Sequence, residues 1–128
     1  MTTVPDRVPP RDRFARPAIV VDLAALAAEL RTQSGPGGHR QQVVYRHGDF
    51  TCALFVFEAG GLLADHRAAG AVTIQGFDGE LEVAAEGAVH VLRPGVIITF
   101  APGVPHEIRA KRPGAMVLHV GLERPPGA

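Results

Sequence analysis

The sequence predicts an all-β domain, an antiparallel sandwich or barrel preceded by one short helix. Three observations predict it. Apolar runs of about four to eight residues recur at roughly ten-residue spacing from about Gln41 onward. Turn dipeptides divide them, among them Gly48-Asp49, Asp78-Gly79, Glu86-Gly87 and Pro102-Gly103. The 128 residues, 46% of them hydrophobic, suffice for one domain with one core of ordinary size.

Taken in order, residues 1–17 read as a flexible Pro- and Arg-rich arm, because Pro5, Pro9, Pro10 and Pro17 exclude regular helix and the alternating charges favour solvent. Asp22 is a good N-cap. Leu23, Leu26, Ala27 and Leu30 then fall on one stripe, so a helix spans about 22–32, closed by the Gly-rich stretch that ends at Gly38. Strands are expected over 42–46, 51–58, 71–77, 80–84, 89–92, 96–100, 106–110 and 115–122, eight in all. The domain therefore covers 18–122, and 123–128 form a flexible tail. Cys52 to Phe57 and Ala115 to Val120 are apolar on both faces. Such strands need a second layer or a second subunit, and a homodimer is the expectation.

Basic and acidic residues balance at 13 each, and aromatics make up only 5%. Nothing here stacks bases or neutralises a run of phosphates, so nucleic acid is not an expected partner. No segment approaches the roughly 20 apolar residues of a membrane span. The N-terminus lacks the apolar stretch of a signal peptide, which makes a soluble, cytoplasmic protein the expectation. Cys52, the single cysteine, sits in an apolar run and reads as a buried, inert thiol. There is no Gly-x-Ser-x-Gly elbow, phosphate loop or Cys-x-x-Cys pair, hence no sign of a serine hydrolase, a nucleotide enzyme or a redox thiol.

The sharpest local pattern is Gly95-Val-Ile-Ile-Thr-Phe-Ala-Pro-Gly103-Val-Pro105-His106. A glycine turns the chain into an apolar strand, Pro-Gly reverses it, and a histidine opens the next strand beside a rigid proline. This resembles the second conserved motif of the cupin superfamily. Gly61-Leu-Leu-Ala-Asp-His66-Arg-Ala68, with Asp78-Gly79-Glu80 further on, resembles a degenerate first motif. The resemblance covers about residues 41–122 and implies a single-domain cupin jelly-roll β-barrel.

The resemblance also implies a metal site, with His66 and His106 as its ligands. The complete first motif carries His-x-His and then Glu; here Ala68 stands at the second histidine and the glutamate position falls near Val72. Gln75 is the nearest residue with a usable oxygen, and His90 or His119 could substitute. His90 shares strand parity with Leu92 and so could point inward. Three readings of the histidines stay open. They hold a divalent transition metal (Fe, Zn, Ni or Mn) together with Gln75; they line a metal-free pocket in which His106 is a general acid or base; or they are structural. The functional expectation is a small organic ligand bound in an apolar barrel. The protein would be a metal-dependent oxygenase, isomerase or cyclase, a non-catalytic ligand-binding or sensory module, or an interaction domain whose barrel holds a dimer together. Asp65 either orients His66 or is a solvated turn residue. His39 and His47, beside Gly-rich turns, are expected in solvent, as are Arg67, Arg93, Glu80 and Glu82.

Overall fold

Asp22 starts the one α-helix in the way its position suggests: its side chain accepts a hydrogen bond from the backbone N–H of Ala25 at 3.0 Å. Helix α1 spans Leu23–Leu30, within the predicted range but shorter at each end. The computed structural model describes residues 18–121, so the N-terminal arm and the tail lie outside the described residues. A 3-10 turn, Pro36–Gly38, joins α1 to the strands.

The strands are β1 His39–His47, β2 Phe50–Phe57, β3 Leu62–His66, β4 Ala71–Asp78, β5 Leu81–Ala85, β6 Ala88–Leu92, β7 Ile97–Phe100, β8 His106–Arg109 and β9 Gly114–Gly121. All eight expected strands are present, and β3 is an addition. Leu62-Leu63-Ala64-Asp65-His66 carries no clean alternation; it is a strand because β8 pairs with it, a contact that local sequence does not announce.

The strands form two antiparallel sheets. One is ordered β1-β2-β9-β4-β7 and the other β3-β8-β5-β6. Their facing sides bury one cluster that includes Phe55, Ile74, Val83, Ile108, Met116 and Leu118. Leu54, Val56, Ala115 and Val117 alternate with inward residues of β2 and β9 and point outward, where α1 covers them with Ala27 and Leu30. That explains the strands that read as apolar on both faces: for much of this surface the second layer is the chain's own helix. An ion pair between Arg31 and Asp78, at 2.6 Å, ties the end of the helix to the end of β4.

One seam holds the two sheets in a fixed relation. Gly76 on β4 donates its N–H to the carbonyl of Val96 at 2.9 Å, and a Cβ at this position would stand 2.1 Å from the backbone oxygen of Arg93. Only glycine lets the segment after β6 approach β4 so closely.

Candidate functional site

The second motif builds one end of the barrel. β7 delivers Phe100; Ala101, Pro102 and Gly103 reverse the chain, with Gly103 at φ 80°, a conformation glycine adopts at no steric cost. The Gly103 N–H donates to the carbonyl of Ala68 at 2.8 Å, fastening the turn to the chain that leaves β3. His106 follows as the first residue of β8 and is only 2% exposed. It is the single buried polar or charged residue among those described.

Two contacts and its burial bear on the state of His106. Its ring lies flat on Phe100, with centroids 4.4 Å apart and planes 1° from parallel. Its Nδ1 is 3.1 Å from the carbonyl oxygen of Val104. A carbonyl only accepts, so Nδ1 carries the hydrogen, and the lone pair of the neutral ring falls on Nε2. Burial pushes the imidazole pKa below its ordinary value of 6.5, against a weaker upward pull from the bond to Val104. At neutral pH the ring is therefore uncharged, in one tautomer and one orientation.

His66 ends β3 and is the cross-strand partner of His106. The register shifts between Leu63 and His66, so that an extra residue of β3 stands against β8. That insertion places His66, rather than Asp65, opposite His106. Ala68 packs against the inner cluster and Val72 lies in it at 1% exposure. The two positions where the resembling motif would place a second histidine and a glutamate thus present hydrocarbon to the barrel interior.

The remaining candidates lie elsewhere. Gln75 follows the fully buried Ile74 on β4 and points to the opposite, outer face; there it lines a groove of about 520 Å³ with Tyr45, Cys52 and His119. The expectation that Gln75 supplies a metal ligand beside His106 is therefore corrected, and the reason is strand parity. His119 shares that outer face as the cross-strand partner of Cys52, with Phe50 stacked on it at 5.9 Å. His90 has inward parity, opposite Val83, yet is exposed because β6 is an edge strand. Among the described residues, no group of three or more His, Cys, Asp or Glu is placed to hold a metal ion.

Two further residues depart from expectation. His39, expected in solvent, opens β1 and is half-buried, 5.5 Å from the ring of Phe57, with Nδ1 buried and lacking a hydrogen-bond partner. The 3-10 turn ends one residue before it, so His39 already obeys strand alternation and faces the same way as its partner Phe57. Cys52 is partly exposed to the groove rather than enclosed, and desolvation pushes its thiol pKa up, which keeps it protonated. No described helix is long and apolar enough to cross a membrane.

Comparison with solved structures places this geometry. A conserved protein of unknown function from Streptococcus pyogenes superposes with a TM-score of 0.69 at 18% identity, over 86% of this chain and 92% of that one. A cupin superfamily protein from Desulfitobacterium hafniense matches with a TM-score of 0.65 at 14% identity, over 71% of this chain and 84% of that one. An RmlC-like cupin from Shewanella frigidimarina matches with a TM-score of 0.64 at 20% identity, over 69% and 79% respectively. No protein-family model matches the chain, and no curated protein matches it in sequence. Two antiparallel sheets with these neighbours give the chain the cupin jelly-roll fold.

Proposed function

We propose that this domain binds a compact organic molecule in the end of its barrel, with the Nε2 of His106 as the polar contact and an apolar wall formed by Phe100, Val72, Ala68 and Val104. The observation that carries this reading is the fixed state of His106, a buried, neutral imidazole whose Nδ1–H is tied to Val104. Such a ring accepts a hydrogen bond from a ligand hydroxyl or amide. Burial favours the uncharged ring, so the imidazole can equally act as proton acceptor toward an acidic carbon or oxygen of a ligand. Structural neighbours that are enzymes, among them KdgF from a Halomonas species and salicylate 1,2-dioxygenase from Pseudoaminobacter salicylatoxidans, agree with a barrel that can host chemistry; identities of 22% and 18% transfer the fold alone.

A second reading is favoured by one observation, the cross-strand pairing of His66 with His106. Two imidazoles could share a loosely held Fe, Zn, Ni or Mn ion, completed by water or ligand. One experiment separates the readings. Wild type, His66→Ala and His106→Ala are incubated with each metal salt, and metal content is measured by plasma mass spectrometry. A fragment library is screened in parallel by imidazole ¹⁵N shifts. Our reading expects metal well below one ion per chain in all three proteins. It also expects fragments that move the His106 Nε2 resonance of wild type and no longer bind His106→Ala. Stoichiometric metal lost in both variants establishes the second reading. Fragment binding that is unchanged by His106→Ala refutes the first.

A further inference from the structure

From the exposed edge of the four-stranded sheet, we infer that a second copy of this chain pairs antiparallel with β6, joining two such sheets into one. Among the described residues β6 has one strand partner, β5, and no strand pairs with its other edge. The segment Ala88-Val89-His90-Val91-Leu92 contains no proline or charged residue, the devices that usually protect a sheet edge. Val89 is 64% exposed and Val91 44%.

Hairpin geometry fixes which backbone groups face outward. β5 and β6 are joined by Glu86 and Gly87, both at positive φ (51° and 76°), as in a two-residue I′ turn closed by the pair Ala85 and Ala88. Closing pairs of this kind are hydrogen-bonded, and pairs alternate from there. The pairs Val83 with His90 and Leu81 with Leu92 are then satisfied within the sheet. Val89 and Val91 turn their N–H and C=O groups out of it.

These groups fit a two-fold partner centred on His90. The axis sets Val89 opposite Val91 of the second copy, and Val91 opposite its Val89. Each of these pairs exchanges two backbone hydrogen bonds and brings the exposed valine side chains together on the outer face. Charge agrees with this direction. Glu86 precedes the strand and Arg93 follows it, and neither has an ion-pair partner among the described residues. Antiparallel pairing sets Arg93 opposite Gly87 of the second copy, one residue from its Glu86, at both ends of the contact. Parallel pairing would put like charges side by side. Five paired residues bury well under the roughly 800 Å² per partner of a standard interface, so the dimer belongs to the weak, reversible class.

The axis places the two His90 residues in a non-hydrogen-bonded pair, with Cα atoms about 4.5 Å apart, within the range a disulfide spans. The test uses the full chain. His90→Cys in a Cys52→Ser background should oxidise to a disulfide-linked dimer that thiol reverses, far beyond any cross-linking of His47→Cys in the same background. Sedimentation across micromolar concentrations should show reversible dimerisation of the wild type. Val91→Pro, which deletes an outward N–H, should abolish it with an unchanged circular dichroism spectrum. If Val91→Pro does not fold, the cross-link decides. The inference is overturned by a wild type that stays monomeric, by a dimer that survives Val91→Pro, or by His90→Cys cross-linking no more than His47→Cys.

Discussion

The two faces of the five-stranded sheet are made by the same strands and do different things. Inward, Ile74 and Leu118 are closed off at 0% and 4% exposure; outward, their neighbours Gln75 and His119 meet solvent in a groove. The contrast is clearest between His106, in the opposing sheet, and His119. Each lies against a phenylalanine, at 4.4 Å and 5.9 Å. Only His106 is buried, and only His106 has one nitrogen tied to a backbone carbonyl among the described contacts. Proximity to an aromatic ring is thus no guide to chemistry in this fold. Enclosure and a fixed tautomer are what set one imidazole apart from the other.

The comparison can be broken most directly on β4, where the two faces alternate. Ile74→Ala should cost about 2–5 kcal/mol in urea denaturation, since it opens a cavity in a fully buried site. A value near zero would mean that the inner face is not close-packed. Next comes acid. The unfolded chain protonates His106 near its ordinary 6.5, whereas the folded chain does so only at lower pH, so below 6.5 the unfolded state binds more protons. Stability should therefore fall as pH drops through 6.5 and level off below the folded pKa. His106→Gln should flatten that fall in urea midpoints measured on either side of 6.5. The smallest effect is expected from Gln75→Ala, within about 0.5 kcal/mol of wild type, as for other outer-surface substitutions. A larger loss would show that the groove is structurally engaged.

Much of the barrel was legible because its signals are local. The alternation in β4 and β5, the turn dipeptides and the Pro102-Gly103 reversal before His106 all act within a few residues of one another. The position of His106 was legible where it depended on that reversal, and so was the hydrocarbon that Ala68 and Val72 turn to the interior. It was misread where a count along the chain was used without strand parity. Gln75 looks close to His66 in sequence, but the inward Ile74 beside it already excludes an inward Gln75. His90 had the right parity and the wrong burial, because alternation does not reveal which strand is an edge. β3 and its extra residue opposite β8 depend on pairing between residues some forty positions apart, which no local pattern encodes.

The position of β9 at the middle of the larger sheet bears on how the chain reaches its fold. β9 pairs on one side with β2, from Phe50 with Gly121 to Phe57 with Gly114, and on the other side with β4. β2 already has β1 and β4 already has β7, but the two pairs stay unjoined until β9, the last of the described strands, has been made. One edge each of the apolar β2 and β4 therefore stays open until β9 is made, and the sheet closes by long-range pairing, the slow route among small domains, in roughly milliseconds to seconds. Chaperone demand should peak in that interval and end abruptly once β9 docks.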